Sequence, residues 1–183
     1  DLGNLGMVAW QTETLAELRR AQGHYDEAEK FFSEIEILHI KTESQLGSAW
    51  VWVAWAWLKF LRDDFNGAEV LLEKADNDFD AHNHTWGRVV VNNHRAEIAC
   101  SKGNLAHARV LIDRAIDEAD SCQSIMFQTR NWVTLGRILA EGGDKQAGLE
   151  WLKKAIAHHA TWVDVRERAL QLQTNYLVAL ARA

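Results

Sequence analysis

Four segments of this chain restate one another at equal intervals: RRAQGHYDEAEKFFSEI from Arg19, KFLRDDFNGAEVLLEKA from Lys59, ACSKGNLAHARVLIDRA from Ala99 and LAEGGDKQAGLEWLKKA from Leu139. A fixed period of this size constrains the fold more than any composition can, because a repeat unit is one supersecondary element that must stack on its copies. The turn position reads Gly23, Asp63, Gly103, Gly143, and the next reads His24, Asp64, Asn104, Asp144. Asp and Asn there are good helix N-caps, since their side chains accept from free backbone N–H groups. Small residues follow at Ala28, Ala68, Ala108 and Gly148, then large apolar ones at Phe32, Leu72, Ile112 and Leu152.

Each unit therefore reads as a helical hairpin. Glycine ends the first helix because it tolerates the left-handed cap conformation. The small residue lets the two helices approach, and the large apolar residues form the inward stripe of the second helix. The spacing predicts first helices near 5–22, 45–62, 85–102 and 125–142, and second helices near 25–39, 65–78, 105–120 and 145–159. A ninth helix near 163–182 takes the place of a fifth first helix. The expected fold is all-α: a right-handed superhelix of four stacked antiparallel hairpins plus a C-terminal helix, one domain over 1–183 with units about 5–40, 45–80, 85–120 and 125–160. The chain begins at Asp1 in mid-pattern, and the array is expected to be part of a longer protein.

Composition agrees with helix throughout. There is no proline, where a usual share of about 5 % would supply roughly nine, and proline is the residue helix interiors exclude. Hydrophobic residues make up 48 % and charged ones 25 %, so a packed core is available. Net charge is −6 with both signs scattered, which gives no basic footprint for nucleic acid or a membrane surface. The longest apolar run, at 49–60, is shorter than the about 20 residues a membrane span needs. Cys100 and Cys122 form no metal-type pair and no disulfide framework, so a reducing, cytoplasmic setting is expected.

The segment WVTLGRIL carries Trp132, Leu135 and Gly136, followed by Gly143 at the turn, and the first unit carries Leu15, Ala16, Gly23, Tyr25, Ala28 and Phe32. This pattern resembles the tetratricopeptide repeat (TPR). Two departures stand out. That repeat is about 34 residues long, shorter than the interval from Arg19 to Lys59, and its closing proline is missing here. Hairpins of this longer period are similar to the sensor arrays of bacterial signal-transduction ATPases and maltose-activator-like transcription regulators. The resemblance implies a scaffold or sensor with protein–protein interaction in a concave groove, in signal transduction or transcription regulation.

The stretch AWVWVAWAWLKF (49–60) holds Trp50, Trp52, Trp55 and Trp57, with Lys59 its only charge. At about 100° per residue, Trp57 falls within about 20° of Trp50, while Trp52 and Trp55 point nearly opposite. The resemblance places Trp52, Trp55 and Ala56 at packing positions, leaving Trp50, Val53, Trp57 and Phe60 for the groove. Three readings stay open. Adjacent units bury all four indoles; or Trp50, Trp57 and Phe60 floor a ligand site, as exposed aromatic patches often do; or they pack against other parts of a longer parent chain. The same register puts Trp10, Glu13, Glu17 and Arg20 in the groove from the first unit, Asn93 and Glu97 from the third, and Arg130 and Arg137 from the fourth.

No catalytic constellation emerges. The turn glycines, Gly23, Gly103 and the pair Gly142–Gly143, stand far apart along the chain and form no Gly-rich phosphate loop. His82, His84 and His94 belong to loop polarity rather than a metal site, and Cys100 reads as a core thiol. No metal or cofactor is expected, and no enzyme activity. The chain reads as a noncatalytic protein- or peptide-binding module, the alternative being a sensor whose aromatic pocket takes a small effector such as a sugar. The last helix, with Val163, Leu170, Leu172, Tyr176, Leu177 and Leu180, leaves an apolar stripe and predicts a homodimer through this end.

Overall fold

The computed structural model describes residues 2–158 and 163–181, the side chains of 2–4, 163–164, 179 and 181 excepted. Among the described residues there are nine helices and no strand. They are α1 (Leu2–Ala21), α2 (Tyr25–Lys41), α3 (Gln45–Leu61), α4 (Phe65–Ala81), α5 (Thr85–Ser101), α6 (Leu105–Ser121), α7 (Ile125–Glu141), α8 (Lys145–Ala157) and α9 (Val163–Ala181). The first helices begin and end within a few residues of the sequence expectation. Three second helices run longer, to Lys41, Ala81 and Ser121, while α8 stops at Ala157. The expected ends at 159 and 182, and the side chain of Val163, lie outside the described residues.

The connections explain the period. From α1 to α8 every one has the same backbone. The middle residue takes positive φ, and the residue after it donates its N–H to the carbonyl five positions back. His24 reaches Arg19 at 2.9 Å, Ser44 reaches His39 at 2.9 Å and Asp144 reaches Leu139 at 3.0 Å. This is the Schellman closure, which satisfies carbonyls a helix end would otherwise orphan. Gly23, Gly103 and Gly143 hold the middle position at φ 79°, 76° and 100°; Glu43, Asp63, Asn83 and Gln123 hold it at 52°, 59°, 52° and 52°. The turns thus recur at half the interval of the sequence repeat, and each period is two strokes of one device. Asp64, Asn104 and Asp144 cap the helices that follow, each accepting a backbone N–H three positions on. His84 does the same with Nδ1, at 3.1 Å from the Gly87 nitrogen. His24, Ser44 and Ser124 make no such bond.

The contacts group the chain into two compact units, residues 1–91 and 92–183. In the first, α1 packs on α2, α2 on α3 and α3 on α4, and α1 also touches α3. Its core joins Ala9, Ala16, Ala28, Phe32, Ile35, Val51 and Leu58. In the second, α6 packs on α7, α7 on α8 and α8 on α9, and α7 also touches α9. Its core joins Trp132, Leu149 and Leu152 to Val165, Ala169 and Tyr176 of α9. Sequential packing of neighbours is the arrangement of a helical-repeat array.

The small residues are where the hairpins close. Ala28, Ala68 and Ala108 are fully buried. In the last hairpin the crossing is tighter. A Cβ added to Gly148 would lie 2.6 Å from the Gly136 carbonyl oxygen, and one on Gly136 would lie 2.9 Å from the Gly148 carbonyl oxygen. Backbone meets backbone there, and only glycine fits.

Candidate functional site

In the first unit, Trp10, Glu13, Glu17 and Arg20 stand on α1 at the positions that Trp50, Val53, Trp57 and Phe60 hold on α3, and the two helices touch. Trp10 is 68 % exposed, the most open tryptophan among the described residues. Glu13 is half-buried, and burial followed by the charge of Glu17 raises its carboxyl above the ordinary range. Glu17 accepts from Arg20 Nη2 at 2.5 Å and from Nε at 3.0 Å. Trp57 stacks on Phe60 at 4.7 Å between ring centroids, and Phe60 tilts against Phe65 at 5.9 Å. Trp50 sets its edge against Phe79 at 5.1 Å and His84 at 5.7 Å.

Val53 is a correction: only 5 % exposed, its side chain belongs to the interior and not to an open surface. The expected division of the four indoles into an open pair and a packed pair does not appear either. All four are half-buried. Trp52 donates Nε1–H to Glu36 at 2.7 Å and lies under Lys74, whose Nζ is 5.4 Å from the ring centroid. Trp55 lies nearly parallel to Phe32 at 6.5 Å. The absence of a polar face on α3 has a plain cause. It is flanked by α2, α4 and α1, so indoles on opposite faces each meet a neighbour.

The second unit holds a buried polar network. Asn93 Nδ2 donates to Asn131 Oδ1 at 2.9 Å and to Thr134 Oγ1 at 3.0 Å. Asn131 Nδ2 donates to the Ala115 carbonyl at 2.9 Å. Thr134 Oγ1 donates to Glu97 Oε1 at 2.6 Å, and the other oxygen of Glu97 accepts Arg137 at 2.6 Å and Arg168 at 2.5 Å. Arg137 also donates to Ser101 at 3.0 Å. Glu97 has no exposed surface and Asn93 is buried. These two are likewise corrections, since neither side chain faces open solvent. A carboxylate can sit there because paired cations and a hydroxyl reach it from α7 and α9. Burial pushes the Glu97 carboxyl up, but Arg168, Arg137 and the Thr134 hydroxyl together outweigh it and hold the group below the ordinary carboxylate range. Burial alone would lower Arg137, and Glu97 more than offsets that, so its guanidinium stays firmly charged. Arg130 and Arg137 are half-buried, Arg137 within this network.

Arg168, Asn131 and Thr134 are not singled out by the repeat register. A signal exists for one of them. Thr134 interrupts the apolar run of Trp132, Val133 and Leu135 in α7, which is where a buried polar group demands partners, whereas Asn131 follows the polar Gln128, Thr129 and Arg130. Arg168 carries none, because its role depends on where α9 docks.

Burial pushes the Cys100 thiol up to about 11, so it is protonated at neutral pH and inert. Burial and then Glu141 push the Tyr176 phenol up as well. Among the described residues no three His, Cys, Asp or Glu side chains group as metal ligands. His82 Nδ1 lies 2.7 Å from the Asp78 carbonyl oxygen. No helix among the described residues is long and apolar enough to cross a membrane. Comparison with protein-family models finds no match to this chain, and comparison with curated proteins finds none either.

Proposed function

We propose that this chain is a noncatalytic, tetratricopeptide-like interaction module that binds a protein or peptide through the faces of its first helices. The observation that carries the reading is Trp10, 68 % exposed on α1, at the register that Trp50 holds on the touching helix α3, where Trp57 stacks on Phe60 farther along. Exposed aromatic residues set among charged ones are the usual anchors of an interface. Glu13 and Glu17 beside them favour a segment with a basic residue next to an apolar one. The resemblance to bacterial sensor arrays supports a cytoplasmic signalling or transcription-regulatory setting.

The test selects peptides from a displayed random library against the intact chain and measures the best by calorimetry. Trp10→Ala is expected to leave the melting temperature unchanged and to weaken binding by about 2 kcal/mol, the loss of one anchor. Selected peptides that bind Trp10→Ala as tightly as the parent chain overturn the reading.

A second reading, a small polar effector, draws on an open depression of about 560 Å³ lined by His39, Glu43, Ser44, Ser48, Trp52 and Asp78. A sugar that quenches tryptophan fluorescence in the parent chain and not in Trp52→Phe supports it.

A further inference from the structure

The two faces of α9 have different fates. Val165, Ala169 and Tyr176 are buried in the core of the second unit with Leu172 packed beside them, while Leu170, Leu177, Val178 and Leu180 are exposed. The repeat identifies the exposed face. Ile125 opens α7 and Val163 opens α9, and the two helices can be read in step from those starts. Val165, Ala169, Leu172 and Tyr176 then answer to Phe127, Asn131, Thr134 and Ile138, all buried in α7. The exposed Leu170, Thr174 and Val178 answer to Trp132, Gly136 and Ala140. Those three hold α8. Gly136 meets Gly148 and Leu152, Ala140 meets Gly148, and Trp132 tilts against Trp151 at 6.4 Å.

We propose that the exposed face of α9 is the receiving half of a helical hairpin, and that its partner is an amphipathic helix lying antiparallel to α9. That helix places a small residue opposite Thr174, a large apolar residue four positions on and an apolar residue seven positions on. The pattern is the one that every second helix of this chain presents: Ala28, Phe32, Ile35 in α2; Ala68, Leu72, Ala75 in α4; Ala108, Ile112, Ala115 in α6; Gly148, Leu152, Ala155 in α8. A second copy of the chain fits less well. It offers another first-helix face at its own end, while its second helices are engaged: α2 on α1 and α3, α8 on α7 and α9. The surface is separate from the first-helix faces assigned to peptide binding above, and the two readings fail separately.

The probe is a fluorescein-labelled synthetic peptide spanning 64–81, which carries its own N-cap Asp64 and the Ala68, Leu72, Ala75, Phe79 stripe. Fluorescence anisotropy with the intact chain is expected to show saturable binding. Leu177→Glu and Thr174→Trp change exposed side chains, so their melting temperatures are expected to match the parent. Each should weaken the peptide by about tenfold or more, whereas Met7→Glu on α1 should not. A peptide variant with Ala68→Trp should fail, because the crossing has no room for it. Three results overturn the proposal: no binding up to about 1 mM, the weakest range such a contact could occupy; equal binding to Leu177→Glu; or sedimentation showing a dimer that Leu177→Glu dissolves while the peptide does not compete.

Discussion

Glu97 is the residue on which most of the second unit's polar order converges. Thr134, Arg137 and Arg168 all end on its carboxylate, and none of that carboxylate reaches solvent. Glu97→Gln removes the charge and leaves two guanidinium groups facing a neutral amide in the interior. Breaking one side of a buried ion pair costs about 3 kcal/mol or more, so the variant is expected to melt well below the parent. The pH dependence has a fixed sign. The folded carboxyl lies below its ordinary value of 4.5, so the stabilisation is fully present above that pH and is lost as pH falls through the folded value. Paired melts of parent and Glu97→Gln should differ by a constant amount from neutral pH down to about 4.5, and converge in stronger acid. A difference independent of pH would mean that the carboxylate's charge is not what stabilises the unit. In the sequence Glu97 reads as one charge on a groove. Its burial follows from α9, whose docking brings in Arg168 from a distant part of the chain.

At the scale of the helix and its turns, the sequence is legible almost to the residue, and for a local reason. Gly23, Gly103 and Gly143 mark left-handed caps, and Asp64, Asn104 and Asp144 mark the starts that follow. The turns at Glu43, Asn83 and Gln123 adopt the same backbone without glycine, which is why every second turn escapes the sequence repeat. Which face of each helix becomes buried is less legible, since Val53 and Asn93 depend on neighbours that helical phase alone does not supply. The turns and the crossings make opposite predictions for glycine. Gln123→Gly relieves a left-handed backbone that costs a side chain about 1–2 kcal/mol, offset by the entropy glycine loses on folding. A net gain of about 0.5 kcal/mol is expected in a denaturant melt. Gly148→Ala adds a Cβ against the Gly136 carbonyl and is expected to cost about 1–3 kcal/mol by forcing α7 and α8 apart. A neutral Gly148→Ala would show that the two helices can separate freely.

For the molecule as a whole, the array is legible as a repeat and its division is not. The contacts gather into residues 1–91 and 92–183, and nothing in the repeat pattern marks position 91. Within each unit, packing joins helices that are adjacent or next but one, such as α1 with α3 and α7 with α9. That local topology governs how the chain finds its fold. Contacts between neighbouring helices are local in sequence, and helical proteins rich in local contacts fold in microseconds to milliseconds. The chain also has no proline, so no peptide bond has to isomerise over the about 10–100 s that X–Pro bonds require. Stopped-flow refolding followed by tryptophan fluorescence should therefore be complete within about a second and lack any phase that a prolyl isomerase accelerates. The α3 indoles, flanked by α2 and α4 within one unit, should report the earliest pairing of helices in that experiment.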